Sequence, residues 1–322
     1  MQPEADRPPA TSVEETKRPK RWVVLLNRVS VAVALGLFAW FLVGERAHAI
    51  RLWRDANPAL LLASIGVFVL FALAQTRVSV AVLHAVGAVV PATAAMRAFL
   101  LSLLGRYIPG KIWIVTMRSS FLHERGVPIR VVLAAVLVEN LYLFITSAAL
   151  FAVSRESTTP TTTALLFGSA ALLLTAAATL PGHLLPWIIR LLARFGLESF
   201  PVRFGKRKAF AITASYLGTW LLLGLGIWLL GRGLSFPFSP VDVIALAGAY
   251  GVAVVAGFAA LFVPAGLGVR EGVFALAMSG RLPVTDALFL AVGVRLAVSI
   301  AEILATAIAH LPFDTPSARE EP

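Results

Sequence analysis

Residues 104–114 read LGRYIPGKIWI, and this stretch decides how the surrounding chain can fold. It places Arg106, Lys111 and a Pro109-Gly110 pair inside an otherwise apolar region. Proline lacks a backbone N–H and glycine destabilises a helix interior, so the pattern predicts a break between two helical segments. Because lipid cannot satisfy the freed backbone groups, the break must be buried in protein or line a wet cavity.

The composition is that of a polytopic membrane protein. Of the 322 residues, 58% are hydrophobic and 14% are charged, and the mean hydropathy is +0.84. A soluble domain of this size could not hide so much apolar surface. The net charge of +11 comes from basic residues between apolar runs, which indicates contact with anionic lipid and not with nucleic acid. The absence of cysteine excludes disulfides, thiolate metal sites and thiol catalysis.

Apolar runs of about 20 residues, long enough to cross a bilayer, recur along the chain. Together with two interrupted elements they predict an all-α fold, a polytopic transmembrane helical bundle of about seven to eight spans. The simple runs are 22–43, 58–83, 128–153, 163–180, 209–231, 240–263 and 283–309.

Two further segments are interrupted by proline and glycine. Residues 92–122 hold two short apolar halves around GRYIPGK, and residues 261–280 hold two around LFVPAGLGVREG. Such a pair, at comparable places in two halves of a chain, indicates a transporter binding site. The halves are residues 22–153 and 209–309, and the apolar runs leave open whether they share one sense or are inverted.

The remaining segments set the domain organisation and the orientation. We predict a disordered cytoplasmic tail over residues 1–21 and a short polar tail over residues 311–322. Between them, residues 22–310 should form a single transmembrane domain in which residues 163–180 are a connector. Basic residues before the first span and in the loop 181–209 place both in the cytoplasm, with the N-terminus inside. Three arginines in the first outer loop oppose this orientation: Arg46, Arg51 and Arg54.

Broken helices in a membrane present free N–H groups and the positive end of the helix dipole, which attract an anion. Arg106 and Lys111 add charge beside the first break, and Arg270 adds charge beside the second. The alternative is that Arg106 and Lys111 snorkel to the interface. Tyr107 and Trp113 suit either a ligand surface or an interfacial aromatic belt.

Other ionisable residues lie inside predicted spans. Glu139 is about 17 Å along its helix, and Arg295 and Glu302 share one helix face. Arg77 lies toward the end of the second span. Buried charges in a bilayer must pair, and cations exceed carboxylates here, which indicates an anionic ligand. The alternative is a set of structural ion pairs.

Signatures of catalysis are missing from the sequence. The five histidines have no metal-ligand spacing, and neither a nucleophile elbow nor a phosphate-binding loop occurs. GLGVREG is not a dinucleotide fingerprint, because an all-helical chain has no βαβ unit. The sequence therefore predicts a transporter that is not an enzyme and has no cofactor and no metal.

The two interrupted motifs, GRYIPGKIW at 105–113 and PAGLGVREG at 264–272, resemble a known pair. They are similar to the signature segments of the lysylphosphatidylglycerol synthetase transmembrane family, the flippase domain of bacterial multiple-peptide-resistance proteins. The resemblance covers roughly residues 22–310. It implies a helical protein of the bacterial inner membrane that moves an aminoacylated phospholipid from the inner to the outer leaflet.

The resemblance and the charges together give a candidate site for the lipid head group. Its members are Arg106, Tyr107, Pro109, Gly110, Lys111, Pro264, Gly266, Gly268, Arg270 and Glu271, supported by Arg77, Glu139, Arg295 and Glu302. The chain departs from the family where Asn140 follows Glu139, since members often have Glu-Arg there. The sequence ends at Pro322, so we expect no aminoacyl-transfer domain, and the substrate need not be lysylphosphatidylglycerol.

Three functions are consistent with these residues. The first is a flippase or scramblase for an anionic or aminoacylated phospholipid, with phospholipids as its partners. The second is an accessory protein or enzyme acting on lipid-linked sugars, and the third is a small-solute transporter coupled to protons through Glu139 or Glu302. The sequence leaves open a homo-oligomer and a separate lipid-modifying enzyme as partners.

Overall fold

The computed structural model describes residues 36, 43–105, 112–154, 160–193, 205–260, 263 and 266–310. These ranges contain ten helices and no strand, which confirms the predicted all-α fold. The helices are α1 (Arg46–Arg54), α2 (Pro58–Ala85), α3 (Ala92–Leu104), α4 (Ile112–His123), α5 (Ile129–Ser154), α6 (Pro160–Ala193), α7 (Lys206–Gly233), α8 (Asp242–Ala259), α9 (Val269–Ala277) and α10 (Val284–His310).

Five of these helices, α2, α5, α7, α8 and α10, are long and apolar enough to cross a membrane. The 34-residue α6 contains a further apolar segment, Thr161–Ala177. Start signals are visible in the sequence: Pro58 opens α2, and Oδ1 of Asn57 accepts hydrogen bonds from two N–H groups of the first turn. Because five helices are long and apolar enough to span the bilayer, the protein is a multi-pass membrane protein.

Helices α2 and α7 pack antiparallel against each other. The N–H of Asn57, just before α2, donates to the carbonyl of Gly233 at the end of α7 over 2.7 Å. Nearer mid-helix, Gly226 leaves room for the ring of Phe68. The start of α2 thus lies on the side of the bundle where α7 ends, together with α1. We call this the α1 side, and the opposite side, where α7 begins, the Lys206 side.

Helices α3 and α4 form a re-entrant hairpin, hairpin A, that enters from the Lys206 side. The chain reaches that side at the end of α2, and six residues later α3 turns back into the bundle. Near the tip, a Cβ on Gly105 would lie 3.0 Å from the carbonyl carbon of Trp113, so α3 and α4 are in close contact. The 13 residues of α3 carry the chain about 20 Å inward.

Helices α8 and α9 form a second hairpin, hairpin B, that enters from the α1 side. At its base Arg281, just after α9, forms an ion pair with Asp242 at the start of α8. Near its tip, Gly257 of α8 lies against Gly266. The predicted span 240–263 is thus the inward arm of a hairpin, because α8 ends before Pro264 and the chain returns through α9 to the side it came from.

The two halves of the bundle are inverted repeats. Each half consists of a long helix, a hairpin and a second long helix: α2 to α5 and α7 to α10. The linkers that follow the hairpins also correspond, with buried Val127 before Pro128 and buried Leu282 before Pro283. Because α2 and α7 are antiparallel and the hairpins enter from opposite sides, the two halves have the same order of elements in opposite senses across the membrane, as inverted-topology repeats do. The contacts therefore show that the two halves run in opposite senses, a question that the apolar runs left open.

Candidate functional site

An ion pair fastens hairpin A to the helix that follows it. Nη1 of Arg118 on α4 donates to both carboxylate oxygens of Glu139 on α5, at 3.0 and 2.8 Å. Nη2 of Arg118 donates to Glu139 at 3.0 Å and to Oγ of Ser79 at 2.9 Å, and that hydroxyl donates to the same carboxylate. The pair therefore joins α2, α4 and α5 in one hydrogen-bonded network.

Burial makes this pair structural. Arg118 is 1% exposed, and its guanidinium lies 5.5 Å from the ring of Phe99. A charge at this depth is tolerated only with a partner. Sequence reasoning missed Arg118. The available signal was an arginine seven residues after Lys111 within an apolar half-helix, facing a Glu139 that needed a cation.

A second ion pair fastens hairpin B to the helix that follows it. Nη1 of Arg295 on α10 donates to Oε1 of Glu271 on α9 over 2.6 Å. The other oxygen, Oε2, accepts from the N–H of Gly268 over 2.6 Å, which caps the start of α9 from the N3 side chain. Glu271 thus caps the first turn of α9 and also attaches α9 to α10.

The two pairs occupy corresponding places in the repeats with their signs reversed. In the first half the arginine lies on the hairpin and the glutamate on the following span; in the second half Glu271 lies on the hairpin and Arg295 on the span. The sequence named Glu139, Glu271 and Arg295, but only the three-dimensional contacts show which residue pairs with which. Both pairs are neutral, so neither accounts for the excess of positive charge.

Arg270, beside the second break, is different. Its guanidinium carbon lies 5.2 Å from the centre of the Tyr250 ring, and Nη2 donates to the Tyr250 hydroxyl over 3.2 Å. Its aliphatic stem fills the space left by Gly257, where a Cβ would overlap Cγ. Within the described ranges Arg270 has no carboxylate partner. The side chain is half-buried, so Tyr250 and Gly257 hold a cation in place that no described carboxylate neutralises.

The other predicted site residues divide into three groups. Gly266 and Gly268 adopt positive φ angles of 67° and 80° at the second break, which favours glycine. Glu302 is 2% exposed, whereas Arg77 is exposed. The residues that lie outside the described part of the chain are Arg106, Tyr107, Pro109, Gly110, Lys111 and Pro264.

The described residues beside the second break suit the binding of an anion. The described ranges hold no group of three His, Asp or Glu side chains placed to bind a metal ion. Instead, two neutral ion pairs fix the hairpins, and one half-buried cation lies where a helix begins at Gly268. Positive charge beside a helix N-terminus suits a phosphate or carboxylate.

Comparison with family models gives a match over most of the chain. A family model described as "Lysylphosphatidylglycerol synthase TM region" matches residues 27–305. That range includes both interrupted motifs and every helix from α1 to α9, with most of α10. No curated protein matches the chain.

Proposed function

Because the chain belongs to the lysylphosphatidylglycerol synthase transmembrane family, as its two motifs predicted, we propose that it is a lipid flippase or scramblase. It moves a polar phospholipid with an anionic or aminoacylated head group between the leaflets of the bacterial inner membrane. The protein acts as a transporter and not as an enzyme. Phospholipids are its partners, and a separate enzyme would supply any aminoacylated form.

The observation that carries this proposal is that Arg270 is half-buried and has no carboxylate partner among the described residues. Four other described intramembrane charges near the hairpins form two ion pairs, Arg118 with Glu139 and Arg295 with Glu271. Arg270 is oriented by Tyr250 and Gly257 but keeps its charge available. An anionic head group next to it would complete the pairing that a low-dielectric site requires.

The inverted hairpins give a reason why such a site could serve both leaflets. Hairpin A enters from the Lys206 side and hairpin B from the α1 side, so each leaflet has one interrupted helix reaching inward. Moving an unpaired charge through hydrocarbon costs several kcal/mol or more. A cation deep in the bundle lowers that cost for a phosphate while the acyl chains stay in lipid.

The orientation of the proposed transporter follows from charge. The Lys206 side carries Lys206, Arg207 and Lys208 at the start of α7 and Arg125 and Arg130 near the base of hairpin A. By the positive-inside rule this side faces the cytoplasm. With an additional span before α1, the N-terminus would also be cytoplasmic.

Leaflet exchange in liposomes tests the proposal. Purified protein should speed the movement of a fluorescent phosphatidylglycerol, read as loss of protection from an outer quencher, without ATP. Arg270→Gln should slow exchange roughly tenfold or more, because a hydrogen bond to a charged group contributes about 1.5–3 kcal/mol. Arg232→Gln removes an exposed arginine at the end of α7 and should leave exchange unchanged.

Two results would contradict the proposal. If wild-type liposomes exchange neither phosphatidylglycerol nor its lysyl ester faster than protein-free liposomes, the chain is not a transporter of these lipids. If Arg270→Gln and Arg232→Gln both exchange lipid at the wild-type rate, Arg270 does not bind the head group. Binding of lipid-linked sugars, or solute uptake that needs a proton gradient, would then identify one of the two alternative functions.

A further inference from the structure

Helix α1 is a short helix outside both hairpins, on the α1 side of the bundle. It reads RAHAIRLWR and contains three arginines and no acidic residue. It lies between two spans: His48 contacts the first turn of α10, and the chain enters α2 three residues after α1 ends. The first turns of two spans lie at one membrane surface, so α1 runs along that surface.

One face of α1 is fixed to the protein. Nε2 of His48 and Oδ1 of Asp286 on α10 are 2.6 Å apart, and the His48 ring lies 5.3 Å from the ring of Phe289. Leu52, one turn further on, packs against the large apolar cluster that includes Phe68 and Ile227. These contacts determine which side chains of α1 face outward.

The outward face mixes arginines with large apolar side chains. Arg46, Arg51 and Arg54 are exposed, Ile50 is 52% exposed and Trp53 is 74% exposed. At 100° per residue, Trp53, Arg46, Ile50 and Arg54 follow one another around this face. A helix that lies at the head-group level of a membrane typically has guanidinium groups beside tryptophan and isoleucine, as α1 does.

The arginines keep their charge. The neighbouring carboxylates are Glu45 and Asp55, and neither forms an ion pair with Arg46, Arg51 or Arg54 in the part of the chain that the structure describes. The Nη2 of Arg51 lies 3.5 Å from Nδ1 of His48, a contact that involves no carboxylate. An exposed cationic face at membrane level is complementary to phosphate.

We propose that α1 is a binding site for anionic phospholipid in the leaflet on the α1 side. The arginines bind the phosphate groups, while Trp53 and Ile50 enter the boundary between head groups and acyl chains. This site is separate from Arg270 and the hairpins and does not depend on lipid translocation. It also gives a reason for three arginines on the side that carries the smaller positive charge.

Site-specific quenching tests this assignment, because the chain has no cysteine. A fluorophore on Ile50→Cys would be measured in phosphatidylcholine vesicles containing equal fractions of doxyl-labelled phosphatidylglycerol or doxyl-labelled phosphatidylcholine. Quenching by phosphatidylglycerol should be at least about twofold stronger, because cationic side chains enrich anionic lipid around them. High salt should reduce the difference.

Two controls make the result specific. Replacing Arg46, Arg51 and Arg54 with glutamine should remove the preference without lowering thermal stability, since all three are exposed. A fluorophore on Leu165→Cys, an exposed position of α6 near the same side, should be quenched equally by both lipids.

Three outcomes would overturn the proposal. They are equal quenching at Ile50→Cys by both lipids, a preference that survives the triple glutamine variant, and a fluorophore that neither lipid quenches. The last outcome would place α1 in water and leave its outward face for a protein partner. None of these outcomes depends on whether the protein exchanges lipid.

Discussion

Arg118 and Arg270 carry the same charge beside corresponding hairpins, yet their surroundings give them different roles. Arg118 is enclosed by Glu139, Ser79 and Phe99. Its charge is neutralised by Glu139, and the ion pair holds hairpin A to α2 and α5. Arg270 rests on Tyr250 and is half-buried without a carboxylate among the described residues. A residue's type alone therefore does not separate a structural cation from one that is left available to bind a ligand.

This contrast predicts different effects on stability. Glu139→Gln leaves a buried guanidinium without its counter-charge, which should destabilise the protein by about 3–5 kcal/mol and lower the thermal midpoint in detergent. Asn140→Ala is the adjacent control: among the described residues the amide of Asn140 donates within its own helix, to the carbonyl of Val136, and its loss should cost about 1 kcal/mol or less. Equal losses in the two variants would mean that the pair does not hold the hairpin.

At the scale of elements, hairpin B depends on a close approach of two backbone segments. Gly266, with φ of 67°, lies against Gly257, and a Cβ on Gly266 would lie 2.7 Å from the Cα of Gly257. Gly268 has a similar φ of 80° but no atom within 4 Å of a Cβ position. The first glycine is required for both conformation and space, and the second for conformation alone.

These two positions form a matched pair of substitutions. Gly268→Ala should cost only the strain of a positive φ, about 1–2 kcal/mol. Gly266→Ala adds a backbone clash that must separate the arms of the hairpin, so its thermal midpoint should fall further and lipid exchange should be lost. If Gly266→Ala proves as stable and active as Gly268→Ala, the close contact with Gly257 is not needed.

At the scale of the whole molecule, the inverted repeat places corresponding loops on opposite sides of the membrane. Glu124 follows hairpin A and Ser279 follows hairpin B, and both are exposed. The two long antiparallel helices α2 and α7 hold the halves together through contacts such as Phe68 against Gly226. A parallel repeat would have placed both loops on one side.

Cysteine labelling distinguishes these arrangements. In intact cells an impermeant thiol reagent should label Ser279→Cys and not Glu124→Cys, because the Lys206 side, where Glu124 lies, is the more basic and should face the cytoplasm. Inverted membrane vesicles should give the opposite result. Labelling of both positions from the same side would exclude the inverted repeat, whereas exchange of the two results would reverse the orientation only.

The sequence by itself determined the features that depend on local composition. Apolar runs of sufficient length specify membrane helices whatever their neighbours are, so the all-α fold was predicted, and the ends of α2, α5 and α10 within about two residues. Proline and glycine interrupt helices through their own backbone chemistry, so the break before α9 was found as well. The two motifs carried enough specific residues to identify the family.

Tertiary structure decided what depends on which helices face each other. Hydropathy is the same for a helix that crosses the membrane and for the arm of a hairpin that turns back, so α8 read as a simple span. The repeat sense required the antiparallel contact between α2 and α7. The partner of Glu139 was Arg118 and not one of the cations considered from the sequence, because a buried charge pairs with whichever opposite charge the packing brings within about 3 Å, at any sequence distance.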